Sequence, residues 1–78
     1  MSEPQAVTLN TGLPSVRRLQ KYIQEKQMVR MQLSVGDPLH GVIRWQDTDY
    51  FYLSTDTGEE YLVARTAVIW IQPLASDA

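Results

Sequence analysis

The sequence contains no cysteine and a single histidine, His40. Without cysteine the chain can form neither a disulfide nor a thiolate metal site, and one imidazole provides too few nitrogen donors for zinc. The acidic residues do not follow the spacing of a calcium loop, so we expect no metal and no other cofactor. No apolar run approaches the roughly 18 residues that a membrane-spanning helix needs.

Both the length and the net charge of the chain are small. Its 78 residues leave room for one domain with one small core. Domains of this size usually gain stability from disulfides, a metal or partner subunits, and of these we expect oligomerisation. Seven basic and nine acidic residues give a net charge of −2. The overall charge therefore does not attract nucleic acid, and any binding of a polyanion must come from localised groups.

The two ends of the sequence differ in composition from its middle. The first ten residues, MSEPQAVTLN, have neither the basic start nor the apolar stretch of a secretory signal, and together with the absence of cysteine this predicts a cytoplasmic protein. Residues 1–12 are mostly polar without periodicity, and residues 75–78 resemble them. We expect a disordered N-terminal tail at 1–12, a folded domain at 13–74 and a short C-terminal tail at 75–78.

An amphipathic helix is expected directly after the N-terminal tail. Ser15 is a suitable N-cap, and Pro14 in the first helical turn, with a Ser or Thr before it, is the alternative start. Val16, Leu19 and Ile23 recur at helical spacing and form one apolar stripe. The pattern predicts one short helix that covers part of a core.

From Met28 onward the apolar period changes to two residues, which is typical of half-buried strands. Turn residues at 36–38, 46–49 and 56–58 separate the strands. We predict five strands, at 28–35, 39–45, 50–55, 61–65 and 67–72. The fifth is apolar almost throughout, which predicts burial on both of its faces.

The alternation also predicts which side chains face the core. Gly41, in the middle of the second strand, indicates a bend or bulge. The inward set in the first two strands comprises Val29, Met31, Leu33, Val35, Leu39, Gly41, Ile43 and Trp45.

One helix followed by five short strands predicts a mainly β domain, in which a strongly bent five-stranded antiparallel sheet forms a small barrel. A barrel left partly open has edge strands, and the apolar fifth strand carries no charges that discourage pairing with a neighbour. Head-to-tail contacts between the fourth and fifth strands of adjacent subunits close into a ring when the rotation permits. We therefore predict assembly into a ring.

Three segments, LPSVRRLQKYIQ, VGDPLHGVIRWQDTD and AVIWIQP, resemble the bacterial Hfq family of Sm-like proteins, particularly its divergent cyanobacterial branch. The resemblance spans Leu13 to Pro73 and is most specific between Gly36 and Asp47. It implies an N-terminal helix on a bent sheet of the Sm-like, SH3-like barrel type, assembled as a homohexamer. It also implies RNA-binding surfaces on both ring faces and the rim, as in an RNA chaperone and post-transcriptional regulator.

The resemblance places one RNA site around the pore on the helix-bearing face. There the family commonly has a Gln-Phe pair, where this chain has Thr48 and Asp49, and a Tyr-Lys-His tripeptide, where it has Ala64, Arg65 and Thr66. A carboxylate in place of a stacking ring weakens U-rich binding, whereas Arg65 keeps a cation that can bind phosphate through forked hydrogen bonds. The alternative is that Arg65 pairs with Asp49 or a neighbouring carboxylate.

A second site is implied on the opposite face, where the family uses a tyrosine and an apolar-basic pair to bind adenine-rich RNA. Gln32 and Asp37-Pro38 stand at those positions, although Gly36 and Leu39 match. Without the stacking aromatic and the cation, A-rich binding should be poor.

The rim of the ring is the third implied surface. The family's arginine cluster near the helix end is missing, but Arg17, Arg18 and Lys21 lie earlier on the helix and could form a substitute patch for RNA or a partner. The alternative is an ordinary solvated helix face.

No residue set suggests catalysis, because one histidine and no cysteine leave no conventional nucleophile-base arrangement beside the acids Asp47 and Asp49. We therefore expect a binding protein and not an enzyme. The first hypothesis is an Hfq-like homohexameric RNA-binding regulator with altered, weak RNA sites. The second is a protein-interaction ring that docks a partner. Through the resemblance to cyanobacterial relatives, that partner would be a type IV pilus motor ATPase, in support of motility.

Overall fold

The computed structural model describes residues 9–75. One helix precedes five strands, as the sequence predicts: α1 (Pro14–Gln24), β1 (Met28–Leu33), β2 (Leu39–Gln46), β3 (Tyr50–Thr55), β4 (Glu60–Ala64) and β5 (Val68–Pro73), with a 3₁₀ turn, Arg65–Ala67, before β5. The predicted N-terminal and C-terminal tails lie largely outside the described residues. No helix within residues 9–75 has the length and apolar character needed to cross a membrane.

Helix α1 begins two residues earlier than a Ser15 cap would require. Leu13 is the N-cap, with extended backbone and no side-chain cap hydrogen bond, and Pro14 occupies the first helical turn. The fixed φ of proline suits that position, where the missing N–H costs nothing. Val16 is buried, and Leu19 and Ile23 pack against the core, which confirms the predicted apolar stripe.

The chain leaves α1 through a left-handed residue. Lys26 has a φ of 52°, and its N–H donates to the Ile23 carbonyl oxygen at 3.2 Å. The next residue, Gln27, donates its backbone N–H to the Tyr22 carbonyl oxygen at 2.8 Å. This pair of bonds satisfies the last carbonyls of the helix and turns the chain into β1.

The five strands form one antiparallel sheet in the order β4-β3-β2-β1-β5. Strands β4 and β5 are the two edges of this sheet and do not pair with each other within the described chain. Each of them therefore leaves one row of backbone groups available for a neighbour.

The core lies on one face of the sheet and is covered by α1. It contains six buried side chains, with Leu19, Tyr22, Ile23, Leu33, Leu39, Val68 and Ile71 packed around them. The six are Val29, Met31, Ile43, Phe51, Leu53 and Val63.

Four predicted inward positions are wrong, three of them in the β1–β2 turn and in β5. Val35 is 81% exposed because β1 ends at Leu33 and Val35 lies in the turn before β2. Ile69 and Trp70 of β5 are 63% and 42% exposed. An edge strand pairs on one side only, so the apolar character of β5 does not produce burial within a single chain.

The second strand contains a β-bulge that reverses its alternation. The β2–β3 register shifts between Ile43 and Trp45, so that Arg44 is the extra residue and Trp45 lies opposite Tyr52. Trp45 is consequently 44% exposed, with its ring centroid 5.4 Å from that of Tyr52. The prediction that Trp45 faces the core is wrong, because one extra residue moves all later side chains to the other face.

Candidate nucleic-acid interface

A concavity of about 290 Å³ lies where the β2–β3 turn meets the 3₁₀ turn after β4. The Arg65 backbone N–H donates to the Asp49 carbonyl oxygen at 2.9 Å and joins the two turns. We call this surface the Arg65 concavity; its lining residues are Thr48, Asp49, Tyr50, Ala64, Arg65 and Thr66. The structure thus brings together all four residues predicted for the pore on the helix-bearing face.

The β2–β3 turn is fixed by the side chain of Asp47. Its Oδ1 atom accepts the backbone N–H of Asp49 at 2.9 Å and that of Tyr50 at 2.7 Å. These two hydrogen bonds hold the pKa of the Asp47 carboxyl below its usual range, and the positive charge of Arg65 contributes in the same direction. Asp47 is therefore a turn residue, as its position predicts, and it sets the position of Thr48 and Asp49.

Three neutral groups surround the guanidinium of Arg65. Its Nη1 donates to Gln46 Oε1 at 2.9 Å and to the Asp47 carbonyl oxygen at 3.2 Å. The guanidinium carbon lies 4.4 Å from the centroid of the Phe51 ring, a cation–π distance. The predicted alternative was an ion pair of Arg65 with Asp49 or a neighbouring carboxylate. The hydrogen bonds of Arg65 go instead to an amide and a backbone carbonyl, although its charge also acts on the nearby Asp47 carboxylate.

Gln46 and Phe51 are the members of this site that sequence reasoning misses. Simple alternation along β2 directs Gln46 away from the core side, and only the bulge at Arg44 returns it toward α1. Phe51 is buried and reads as an ordinary core residue. Only the strand register indicates that Phe51 belongs to the site, because Phe51 pairs with Gln46 of β2 on one side and with Val63 of β4 on the other.

The residues predicted for the opposite face lie at the other end of β2. Gln32 Nε2 donates to the Leu33 carbonyl oxygen at 2.8 Å and to that of Gly36 at 3.4 Å, so its amide holds the β1–β2 turn. Gly36 has a φ of 86°, and Asp37 is exposed. Leu39 is half-buried and packs against the core. The four do not form a cluster of aromatic and cationic groups.

The predicted rim residues share the exposed side of α1. They border a shallow concavity of about 680 Å³, which we call the helix concavity and whose lining residues are Pro14, Arg17, Arg18, Lys21, Gln24 and Glu25. Arg17, Arg18 and Lys21 are all exposed, and Glu25 is the one acidic member. This surface is basic and exposed, and it is separate from the lining of the Arg65 concavity.

A sequence profile described as "Hfq related" matches residues 13–73. The chain belongs to the Hfq-related family. A crystal structure of an Hfq protein from Anabaena sp. is 30% identical and superposes with a TM-score of 0.72, covering 81% of this chain and 100% of that one. A crystal structure of the pleiotropic translational regulator Hfq is 19% identical with a TM-score of 0.69, covering 74% and 95% of the two chains, and shares the fold. The comparison with curated protein sequences found no match.

Membership of the family confirms the fold expected from the sequence resemblance. The helix followed by a five-stranded antiparallel sheet is the Sm-like fold of Hfq. Within residues 9–75, no group of three or more His, Cys, Asp or Glu side chains is placed to hold a metal ion.

Proposed function

We propose that this chain forms a ring that binds single-stranded RNA as a post-transcriptional regulator, with Arg65 as its phosphate-binding group. One observation carries the proposal: Arg65 lines an open concavity while its hydrogen bonds go to neutral acceptors. A guanidinium held in this way has no carboxylate among its hydrogen-bond partners and has N–H groups left for a phosphate. This function requires no catalysis, and it belongs in the cytoplasm, where the RNA is.

Assembly into a ring would be achieved by pairing β4 of one subunit with β5 of the next. Both strands are sheet edges, and both carry exposed apolar side chains: Leu62 is 60% exposed on β4 and Ile69 63% on β5. Burial of such side chains stabilises association. The expected assembly is a homohexamer, by analogy with the family. Ile69→Lys should lower the mass measured by light scattering to that of a smaller species, whereas Val35→Lys, in an exposed turn, should leave it unchanged.

The chemistry of the Arg65 concavity favours phosphate over bases. Asp49, which stands where the family resemblance calls for an aromatic ring, offers no stacking surface and repels phosphate. The opposite face also offers little for binding bases, since the Gln32 amide donates its hydrogen bonds to carbonyl oxygens of the β1–β2 turn. We therefore expect weak binding with little preference between U-rich and A-rich sequences.

A titration of the ring with labelled U-rich and A-rich oligonucleotides, followed by anisotropy at several salt concentrations, tests this function. Arg65→Ala should weaken binding of both oligonucleotides and reduce the slope of log affinity against log salt by about 0.7 for each phosphate that the variant no longer neutralises. Arg65→Lys should keep most of the slope but bind more weakly, because lysine lacks the planar fork.

Arg44→Ala is the matched control, because it removes the same charge from an exposed position on the β2 bulge. It should change neither the slope nor the affinity by as much as Arg65→Ala. Equal effects of the two substitutions would show that RNA senses overall charge, and an unchanged slope with Arg65→Ala would exclude Arg65 as a phosphate-binding residue.

The helix concavity supports a second function, docking of a protein partner on the ring. Three exposed cations line it and only one carboxylate does, which suits an acidic partner surface. The partner class we propose is a type IV pilus motor ATPase. Changing Arg17, Arg18 and Lys21 together to alanine should release such a partner in a pull-down with the purified ATPase while the ring keeps its mass. Retention of the partner would show that α1 is not the docking surface.

A further inference from the structure

The side-chain amide of Gln46 lies between helix α1 and the guanidinium of Arg65. On one side Gln46 Oε1 accepts Arg65 Nη1 at 2.9 Å. On the other side Gln46 Nε2 donates to Gln20 Oε1 at 3.2 Å and to the Val16 carbonyl oxygen at 3.4 Å. One half-buried amide thus connects the first turns of the helix to the cation of the Arg65 concavity.

The orientation of this amide is determined by its neighbours. A backbone carbonyl such as that of Val16 accepts hydrogen bonds and cannot donate them, and an arginine side chain donates and cannot accept. The NH₂ group of Gln46 must therefore face the helix, and its carbonyl oxygen must face Arg65. The glutamine amide provides a donor on one side and an uncharged acceptor on the other, which neither glutamate nor leucine does.

Other residues at position 46 would change the cation. A glutamate would place a carboxylate 2.9 Å from the present position of Arg65 Nη1 and neutralise its charge, and it would have no donor for Val16. A leucine would fill similar space but leave Arg65 with only the Asp47 carbonyl oxygen and the Phe51 ring. We propose that Gln46 is a positioning residue that holds Arg65 in place without neutralising it; this inference rests on the proposed function of Arg65 in RNA binding.

A guanidinium that is already ordered by hydrogen bonds binds phosphate more tightly than a mobile one, because binding then costs less side-chain conformational entropy. Gln46→Leu should therefore weaken oligonucleotide binding by roughly three- to tenfold, as expected when an ordered side chain becomes mobile. The salt slope should stay that of the wild type, since the charge remains. Gln46→Glu should reduce both the affinity and the salt slope to the values of Arg65→Ala, because the new carboxylate pairs with the guanidinium.

The decisive binding measurement is a double-mutant cycle with the U-rich oligonucleotide at fixed salt. If Gln46 acts through Arg65, Gln46→Leu should weaken binding in the wild type and have no effect in the Arg65→Ala background. A similar reduction in both backgrounds would show that Gln46 supports the fold and does not position Arg65. Unchanged affinity in both backgrounds would also overturn the inference. Light scattering on each variant checks that the ring is intact.

A second readout needs no RNA and separates this inference from the proposed function. In ¹⁵N relaxation measurements of arginine side chains, the Arg65 Nε–Hε group should be ordered in the wild type and mobile in Gln46→Leu, with Arg44 as the mobile reference in both. Equal Arg65 mobility in the two proteins would overturn the inference. If Arg65 loses order in Gln46→Leu while Arg65→Ala leaves RNA binding unchanged, the contact between Gln46 and Arg65 stands and the RNA-binding role of Arg65 fails.

Discussion

Replacing Gly41 with alanine tests how closely strands β2 and β3 approach each other. Gly41 is buried and lies opposite Thr55 in the β2–β3 ladder. A Cβ atom at this position would be 2.3 Å from the Ser54 carbonyl oxygen and 2.9 Å from both the Ser54 carbonyl carbon and Thr55 Cα. Carbon–oxygen contacts between strands are normally about 3.3 Å or longer, so the methyl group would overlap the backbone by about 1 Å.

The overlap cannot be relieved by turning a side chain, because all three nearest atoms belong to the backbone of β3, which is paired on both sides. Overpacking of this kind costs about 1–3 kcal/mol. Alanine also lowers the conformational entropy of the unfolded chain, which offsets about 0.4–1 kcal/mol of this destabilisation. Taking the upper end of the first range, we expect the free energy of unfolding to fall by about 2 kcal/mol.

Urea unfolding followed by tryptophan fluorescence, at one fixed protomer concentration, measures this change. With a urea dependence of about 1 kcal/mol per molar for a chain of this size, the midpoint of Gly41→Ala should fall by about 2 M. Gly12→Ala is the control, because its Cβ would meet only the Asn10 side-chain oxygen at 3.2 Å, and its stability should change by less than about 0.5 kcal/mol. A Gly41→Ala midpoint within about 0.5 M of the wild type would refute the reasoning.

Three further predictions concern the loops and the core. Lys26→Gly should raise the free energy of unfolding by about 0.5–1 kcal/mol in urea titrations, since the φ of 52° favours glycine; a decrease in stability would contradict this. The low pKa of Asp47 means that its contribution to stability is complete above pH ~4 and is lost as the pH falls through the depressed value. Asp47→Asn should therefore lose less stability than the wild type between pH 7 and pH 3, and equal decreases would count against the turn contacts. Met31→Ala should lower the free energy of unfolding by about 2–5 kcal/mol, and Val35→Ala should lower it by less than about 0.5 kcal/mol. Simple alternation places both side chains on the same face, so similar decreases would show that Val35 is buried.

Much of the fold follows from local sequence pattern. The change from helical spacing to a two-residue period at Met28 marks the end of α1 and the start of the sheet. Turn residues mark the strand ends, and the positive φ of Gly36 and Gly58 explains why glycine occurs there. These features depend on neighbouring residues only, so one sequence suffices to predict them.

The candidate site was partly predictable for a different reason. The family resemblance points to Thr48, Asp49, Arg65 and Thr66, and the structure places all four around one concavity. The resemblance does not predict which groups form hydrogen bonds with Arg65. The contact between Arg65 and Gln46 joins residues 19 positions apart in sequence, and it exists because the β2 bulge turns Gln46 toward α1.

The sequence by itself determined the single helix, the five strands, the turn role of Asp47 and the absence of disulfides, because each depends on composition or on local spacing. Only the tertiary structure decided that Trp45 lies outside the core and Gln46 inside the site, because the extra residue at Arg44 is set by the fit of β2 against β3. It also supplied the strand order β4-β3-β2-β1-β5, which puts the two strands predicted to pair between subunits at the edges of the sheet, since strand order depends on pairing between distant segments.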